Sequence, residues 1–522
     1  MKKKLLVLCL ALSMVFCFSA CGGTGTEGGD AEAPTELVMI DSEWFGIDTF
    51  QLDGSAGGQS FLSTPPFAWD ADNNCVVDNV CTDWTVSEDG SKVTFNVPEG
   101  LKFSTGEDLL PEDVKASIEH GLKVSPYAEG YENIESIDID GQQVTLNLSH
   151  YSSDMEYYFT ADFTCIIDKD ELDSMTDEEL LWGAHPYGPY YLAEGGYVSG
   201  SEVNAIRFDD YKCFDPRVEN HGPWAFEKIK LRFNVEDFTE TEELKNGTVH
   251  SILSLSMDQV LELENNEDID IVEAAYPCIN YLELNTDTPG LDDIEVRKAI
   301  ELALDREATA EIVDNSVVPA YSIIYDTMQC FNKDMYDYYK ENFSNDPEKA
   351  KELLEAAGWT DSDGDGIREK DGKKCEFTVY SWDSYSTIME SFAAQLEAVG
   401  IKMNIEFLEW TYIYDKMEHD DFDCGTASLG WAEPILIFNM CYYDRNDPGN
   451  TKAYRKLIDE AAGEPDPEKR VEKVGEVEKS IIEQHTLIPM FGDNGWTAFG
   501  KGITGYKAMS DGTIPLNDLH FE

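Results

Sequence analysis

In this 522-residue chain, side-chain type and spacing point most directly to chemistry in the stretch "DSDGDGIREKDG". Asp361, Asp363, Asp365 and Gly366 occupy positions one, three, five and six of a calcium loop, with the Ile367 carbonyl seventh and Glu369 ninth. Oxygen ligands at alternate positions suit a hard divalent cation. Position twelve departs from the pattern, because Gly372 stands where a bidentate acid belongs and Asp371 comes one place early. Two readings follow: a structural calcium ion, or an acidic turn joining a helix to the strand "KKCEFTVYSW". No cofactor is otherwise required. Nucleophile and zinc-protease patterns such as G-x-S-x-G and H-E-x-x-H are absent, and the eight His are scattered, with no pair at metal-ligand spacing. Carboxylate pairs could be drawn at will from 104 acidic residues, so composition by itself permits a secreted hydrolase.

The N-terminus carries a different kind of chemistry. Lys2, Lys3 and Lys4 precede an almost wholly apolar run from Leu5 to Ala20, which ends in small residues before Cys21. The run falls short of the ~18 to 20 residues of a membrane-spanning helix, so 1–20 is expected to be an export signal. The block "FSAC" resembles a bacterial lipobox, in which cleavage leaves the cysteine as the new N-terminus with diacylglycerol on its sulfur. Cys9 and Cys17 would then be discarded and Cys21 kept as a lipid anchor. The Gly-, Thr- and acid-rich residues that follow make 21–34 a flexible linker. The expected location is the outer face of the cell membrane, which is the periplasmic side if an outer membrane exists.

Charge and thiols narrow the partners. With 38 Lys+Arg against 104 Asp+Glu the net charge is −66, and loss of the three leading lysines makes it more negative still. Phosphates would be repelled, which excludes nucleic acid, and polybasic contact with anionic lipid is excluded too. Acidity of this extent either keeps the protein soluble or favours cationic ligands. Nine cysteines follow Cys21, an odd number with no CxxC spacing; disulfides and buried small apolar side chains both fit. The length and the 42% hydrophobic content predict two or more lobes.

These residues must be positioned by ordered elements. "WTVSEDGSKVTFNV" alternates apolar and polar residues around Asp89-Gly90 and predicts a hairpin. "LLPEDVKASIEHGL" predicts a helix entered through Pro111, "VTLNLS" a strand, and "HPYGPYYLAEGG" a Pro/Gly turn into the strand "VNAIRF". From Ile294 through Ile300 to Ile312 apolar residues recur at helical spacing, with Asp292 or Asp293 placed to cap. Asp346, Pro347 and Gly358 punctuate a further helix, and another stops at Gly400 before a strand that alternates Ile401, Met403, Ile405 and Phe407 with polar residues. Helix and strand in alternation predict α/β lobes with largely parallel sheets.

In their order these segments resemble the family 5 extracellular solute-binding proteins, the oligopeptide, dipeptide and nickel binders of ABC importers. "CTDWTVSEDGSKVTFNVPEGLKFSTGEDLLPEDVKASIEHGL" is similar to the family's signature segment, "PYGPYYL" to its Gly-Pro-Tyr turn, and "LKNGTVHSI", "LELNTDTPGLDDIEVRKAIELALDREA", "DPEKAKELLEAAGW" and "HTLIPMFGDNGWTAFGKGITGY" to later segments. The resemblance implies an α/β, two-lobed periplasmic-binding-protein-like fold of type II around a hinge, with a subdomain inserted in lobe I. Lobe I would comprise 35–58, 184–277 and 488–522, the insertion 59–183, and lobe II 278–487. It further implies a monomeric, non-enzymatic receptor that closes on a peptide or other small solute and delivers it to the permease subunits of an ABC transporter. Peptide-binding members pair an acidic residue a few positions after a Trp with the ligand's α-amino group. Here "GWAEP" offers Trp431 and Glu433, one position early and followed by Pro434. The departure admits a nickel, metallophore or other non-peptide solute as the alternative. Trp44, Trp382 and Tyr412 are the further candidates for contact with the ligand.

Overall fold

The computed structural model describes residues 35–43, 46–52, 61–161, 163–442 and 452–522. Cys21, the export signal, the linker and Trp44 lie outside the described residues. Two long strands, Ile269–Leu284 and Leu487–Gly500, pair antiparallel along most of their length in the middle of an 11-stranded sheet. On one side of this pair lie Cys424–Leu429, Glu376–Ser381 and Lys402–Phe407. On the other lie Ser251–Ile252, Glu36–Ile40, Lys228–Arg232, Glu202–Arg207 and Tyr190–Val198. Each long strand serves two cores. Phe491 packs with Leu282, Phe377, Val379 and Phe392, whereas Phe499, eight residues on, packs with Leu37, Ile229 and Leu231.

The expectation of largely parallel sheets is corrected. Among the described residues parallel pairing is confined to Glu376–Ser381 with its two neighbours and to Glu36–Ile40 with its two. The other pairs are antiparallel because the two long strands cross in opposite directions and because Tyr190–Val198 joins Glu202–Arg207 through a turn too short for a crossover. The segment after Pro189, expected as a turn, is already strand from Tyr190, and its register shifts between Leu192 and Tyr197. Gly188 is required just before it, since a Cβ there would stand 2.4 Å from the Leu62 carbonyl oxygen.

A four-stranded antiparallel sheet, Thr82–Val86, Lys92–Asn96, Gln143–Leu148 and Ile134–Asp140, carries the expected hairpin and packs with helix Pro111–Val124. The run from Ile294 to Ile312 is two helices, Ile294–Ala303 and Arg306–Ile312. Asp305 divides them: its carboxylate accepts the Ala308 N–H at 2.9 Å and restarts the helix, which leaves Ile312 exposed. Asp293 and Asp346 cap as expected. All nine described cysteines are free, and all but Cys75 are buried, so they act as small apolar side chains. Among the described residues no helix is long and apolar enough to cross a membrane.

Candidate functional site

The pairing of the two long strands breaks where the sheet passes from one core to the other. Its register shifts between Tyr276 and Ile279, at Pro277, which has no N–H to give to a ladder. The freed Cys278 N–H donates instead to the Tyr325 hydroxyl at 2.9 Å, and that hydroxyl's single hydrogen is within reach of two acceptors, the carbonyls of Tyr276 and Cys278. Gly492 faces this break, and a Cβ there would meet the Tyr325 ring at 2.7 Å.

A cavity of about 450 Å³ opens beside the break, within the range of small-ligand sites, roughly 300–1,000 Å³. Rings of Trp69, Tyr157, Phe163, Trp224 and Tyr276 form much of its wall. Trp224 is buried, and its indole Nε1 has no hydrogen-bond partner among the described residues. The charged part of the wall is an ion pair. Arg217 grips Asp215 through Nε and Nη2 at 2.9 and 2.8 Å and donates from Nη1 to the Trp69 carbonyl at 2.6 Å. No described residue lining the cavity is His or Cys, the side chains that favour a late transition metal.

Beside the cavity, residues far apart in sequence meet in a second, buried contact. Arg470, on helix Pro467–Ile482, donates from Nη2 to Glu156 at 2.9 Å and from Nη1 to the Tyr151 hydroxyl at 3.1 Å. Tyr151 also donates to Glu156, at 2.5 Å. The Cys330 N–H donates to Asn74 Oδ1 at 3.0 Å, and the Ser153 N–H to the Ala462 carbonyl at 2.9 Å.

The candidates read from sequence fall at different places around this arrangement. Trp431 backs the cavity wall: it stacks on Phe163 at 5.5 Å and 20°, meets Tyr127 and Tyr157 edge-on, and packs against the cores on both sides. Glu433 is only 2% exposed and is the N-cap of helix Pro434–Cys441. Its Oε2 accepts the Leu436 N–H at 2.8 Å, and its Oε1 accepts from Ser153 Oγ at 3.5 Å. Burial, and secondarily the nearby Asp154 carboxylate, pushes its carboxyl up to about 8. The carboxylate expected at the ligand's ammonium thus stands enclosed, with protein donors on both oxygens. Trp382 is half-buried against Tyr385 at 5.3 Å, and Tyr412 projects from helix Trp410–Glu418 with 65% of its surface exposed. In the acidic loop, oxygens of Asp361, Asp363, Asp365 and Glu369 lie within 4.8 Å of one another. Lys374 pairs with Asp365, Asp361 accepts the N–H groups of Gly364 and Gly366, and the Ile367 N–H donates to Asp365 at 2.9 Å.

Sequence reasoning missed Asp215, Arg217 and Trp224, which no local pattern marks, because the wall is assembled from segments hundreds of residues apart. One signal was present for Glu433. Glu-Pro followed by an apolar run is a helix start with proline in the first turn, which assigns the preceding carboxylate to the cap.

A model of the bacterial extracellular solute-binding proteins, family 5, matches residues 76–448. The oligopeptide-binding protein OppA of Bacillus subtilis is 22% identical over 572 aligned positions that cover 100% of both chains. The structure of NikA from Brucella suis in complex with Fe(III)-EDTA superposes with a TM-score of 0.78 at 20% identity, covering 93% of this chain and 100% of the other. AppA from Bacillus subtilis in complex with a nonapeptide gives 0.66 at 19% identity, covering 94% and 99%.

Proposed function

From the premise that the chain belongs to the bacterial extracellular solute-binding proteins of family 5, which work with ABC transporters, we propose that its solute is a peptide and that Cys21 tethers it to the membrane. Membership makes it a binding protein of the two-lobed type, and the break between the long strands is where such lobes would hinge. The observation that carries the peptide reading is the wall of the cavity. Flat rings enclose variable apolar groups, and the Arg217–Asp215 pair adds a polar edge to the same wall. The absence of His and Cys among the described lining residues argues against a bare nickel ion.

Native mass spectrometry of the soluble form from residue 30 onward, purified without refolding, tests the reading. Adducts of mixed, peptide-sized mass support it; a single non-peptide mass, or nickel, overturns it. A tether keeps the receptor at high local concentration beside its permease, and closure distinguishes the loaded form from the empty one. Cys21→Ala is therefore expected to move the protein from the membrane fraction into the medium or periplasm, and its retention on membranes would count against lipidation.

A further inference from the structure

Asp493 stands beside the break in the long strands, paired in register with Tyr276, whose ring lines the cavity. Paired residues of an antiparallel ladder present their side chains on the same face. The Asp493 carboxylate is half-buried and accepts from Asn280 Nδ2 at 2.8 Å, yet no basic side chain among the described residues lies within ion-pair distance of it. Its other neighbours are neutral. Cys278, whose Sγ lies 3.1 Å from Ser428 Oγ, and Tyr385, which carries Trp382 against it, complete the surroundings. Asn280 adds an independent sign of a missing partner: the residue is 1% exposed, and its Oδ1 has nothing to accept from. A carboxylate that has neutral donors but no countercharge therefore stands beside a buried amide oxygen that has no donor at all.

We propose that the Asp493 carboxylate and Asn280 Oδ1 together receive the ammonium group of the ligand. An ammonium brings a positive charge for the carboxylate and a further N–H for the amide oxygen, and the neighbouring Tyr385 ring can flank it. Asp493 does what was expected of Glu433, which is closed off as a helix cap. The assignment rests on the peptide reading above and adds that the peptide's amino terminus must be free.

Calorimetry with synthetic tri- and pentapeptides lacking Lys and Arg, each as the free amine and N-acetylated, tests it. The wild-type protein should bind the free amines at least tenfold more tightly, and Asp493→Asn, which keeps the shape and the Asn280 contact, should abolish that preference. Equal affinities of the wild type for both forms overturn the assignment without reference to any variant. Preference retained in Asp493→Asn overturns it too, and if Glu433→Gln is what removes it, the anchor is Glu433. Failure of the wild type to bind any peptide overturns the peptide reading itself and the assignment with it.

Discussion

Glu433 shows how burial sets the behaviour of a single carboxyl. Enclosed above the N-terminus of helix Pro434–Cys441, it is pushed up to about 8 from an ordinary value of 4.5, first by burial and then by Asp154. The folded state holds this proton more tightly than the unfolded chain does. Its contribution to stability is accordingly complete below about pH 4.5 and is lost as pH rises through 8. Glu433→Gln keeps an oxygen for the Leu436 N–H but cannot ionise. Thermal melts of the ligand-free protein at pH 5 and pH 8.5 should show a smaller loss of stability in the variant than in the wild type, with the variant the more stable of the two at the higher pH. Glu478, likewise raised by burial, to about 7, is present in both proteins and drops out of the comparison. Parallel pH dependence in the two would mean that the Glu433 carboxyl titrates as it would in water.

Helices Asp154–Thr160 and Pro467–Ile482 meet through Glu156 and Arg470, whose side chains are 8% and 3% exposed. The proposed boundaries put these helices in different lobes, so opening would return both charges to water. Arg470→Met then penalises the closed state by leaving Glu156 buried and unpaired, at a cost of about 3–5 kcal/mol. Ligand affinity should fall more than a hundredfold, Arg470→Met with Glu156→Leu should restore most of it, and the unfolding midpoint of the ligand-free protein should barely move. A large loss of ligand-free stability instead would place both helices in one folding unit. Elements of this kind were legible where the signal is local: Asp346, Pro347 and Gly358 bound a helix by their own chemistry, and the Asp89-Gly90 hairpin states its turn. Legibility stopped where two local signals compete, as at Asp305, whose capping carboxylate interrupts an apolar stripe that otherwise continues. It stopped too where tertiary pairing decides, as in Tyr190–Val198, which is strand because Glu202–Arg207 lies alongside. The candidate site was least legible of all, since Asp493 follows a glycine in a segment whose meaning comes only from the break opposite it.

For the molecule as a whole, the two long strands tie both sides of the sheet together, and the net charge of −66 surrounds the result with a negative field. Such a field acts on a ligand before any contact forms: it draws cationic solutes toward the surface and repels anionic ones, and it weakens as salt shortens the screening length from about 30 Å at 0.01 M to 3 Å at 1 M. Association and dissociation should therefore respond differently. Over that range of ionic strength the association rate of a peptide of net positive charge is expected to fall at least tenfold, and that of a net negative peptide to rise. Dissociation, governed by contacts inside a closed cleft that salt screens poorly, should change little for either. Stopped-flow fluorescence with a pair of peptides that differ only in Lys and Glu at one exposed position measures both rates. If the two association rates respond alike to salt, the acidic surface serves solubility alone, and selection for charge resides entirely in the anchoring groups inside the cleft.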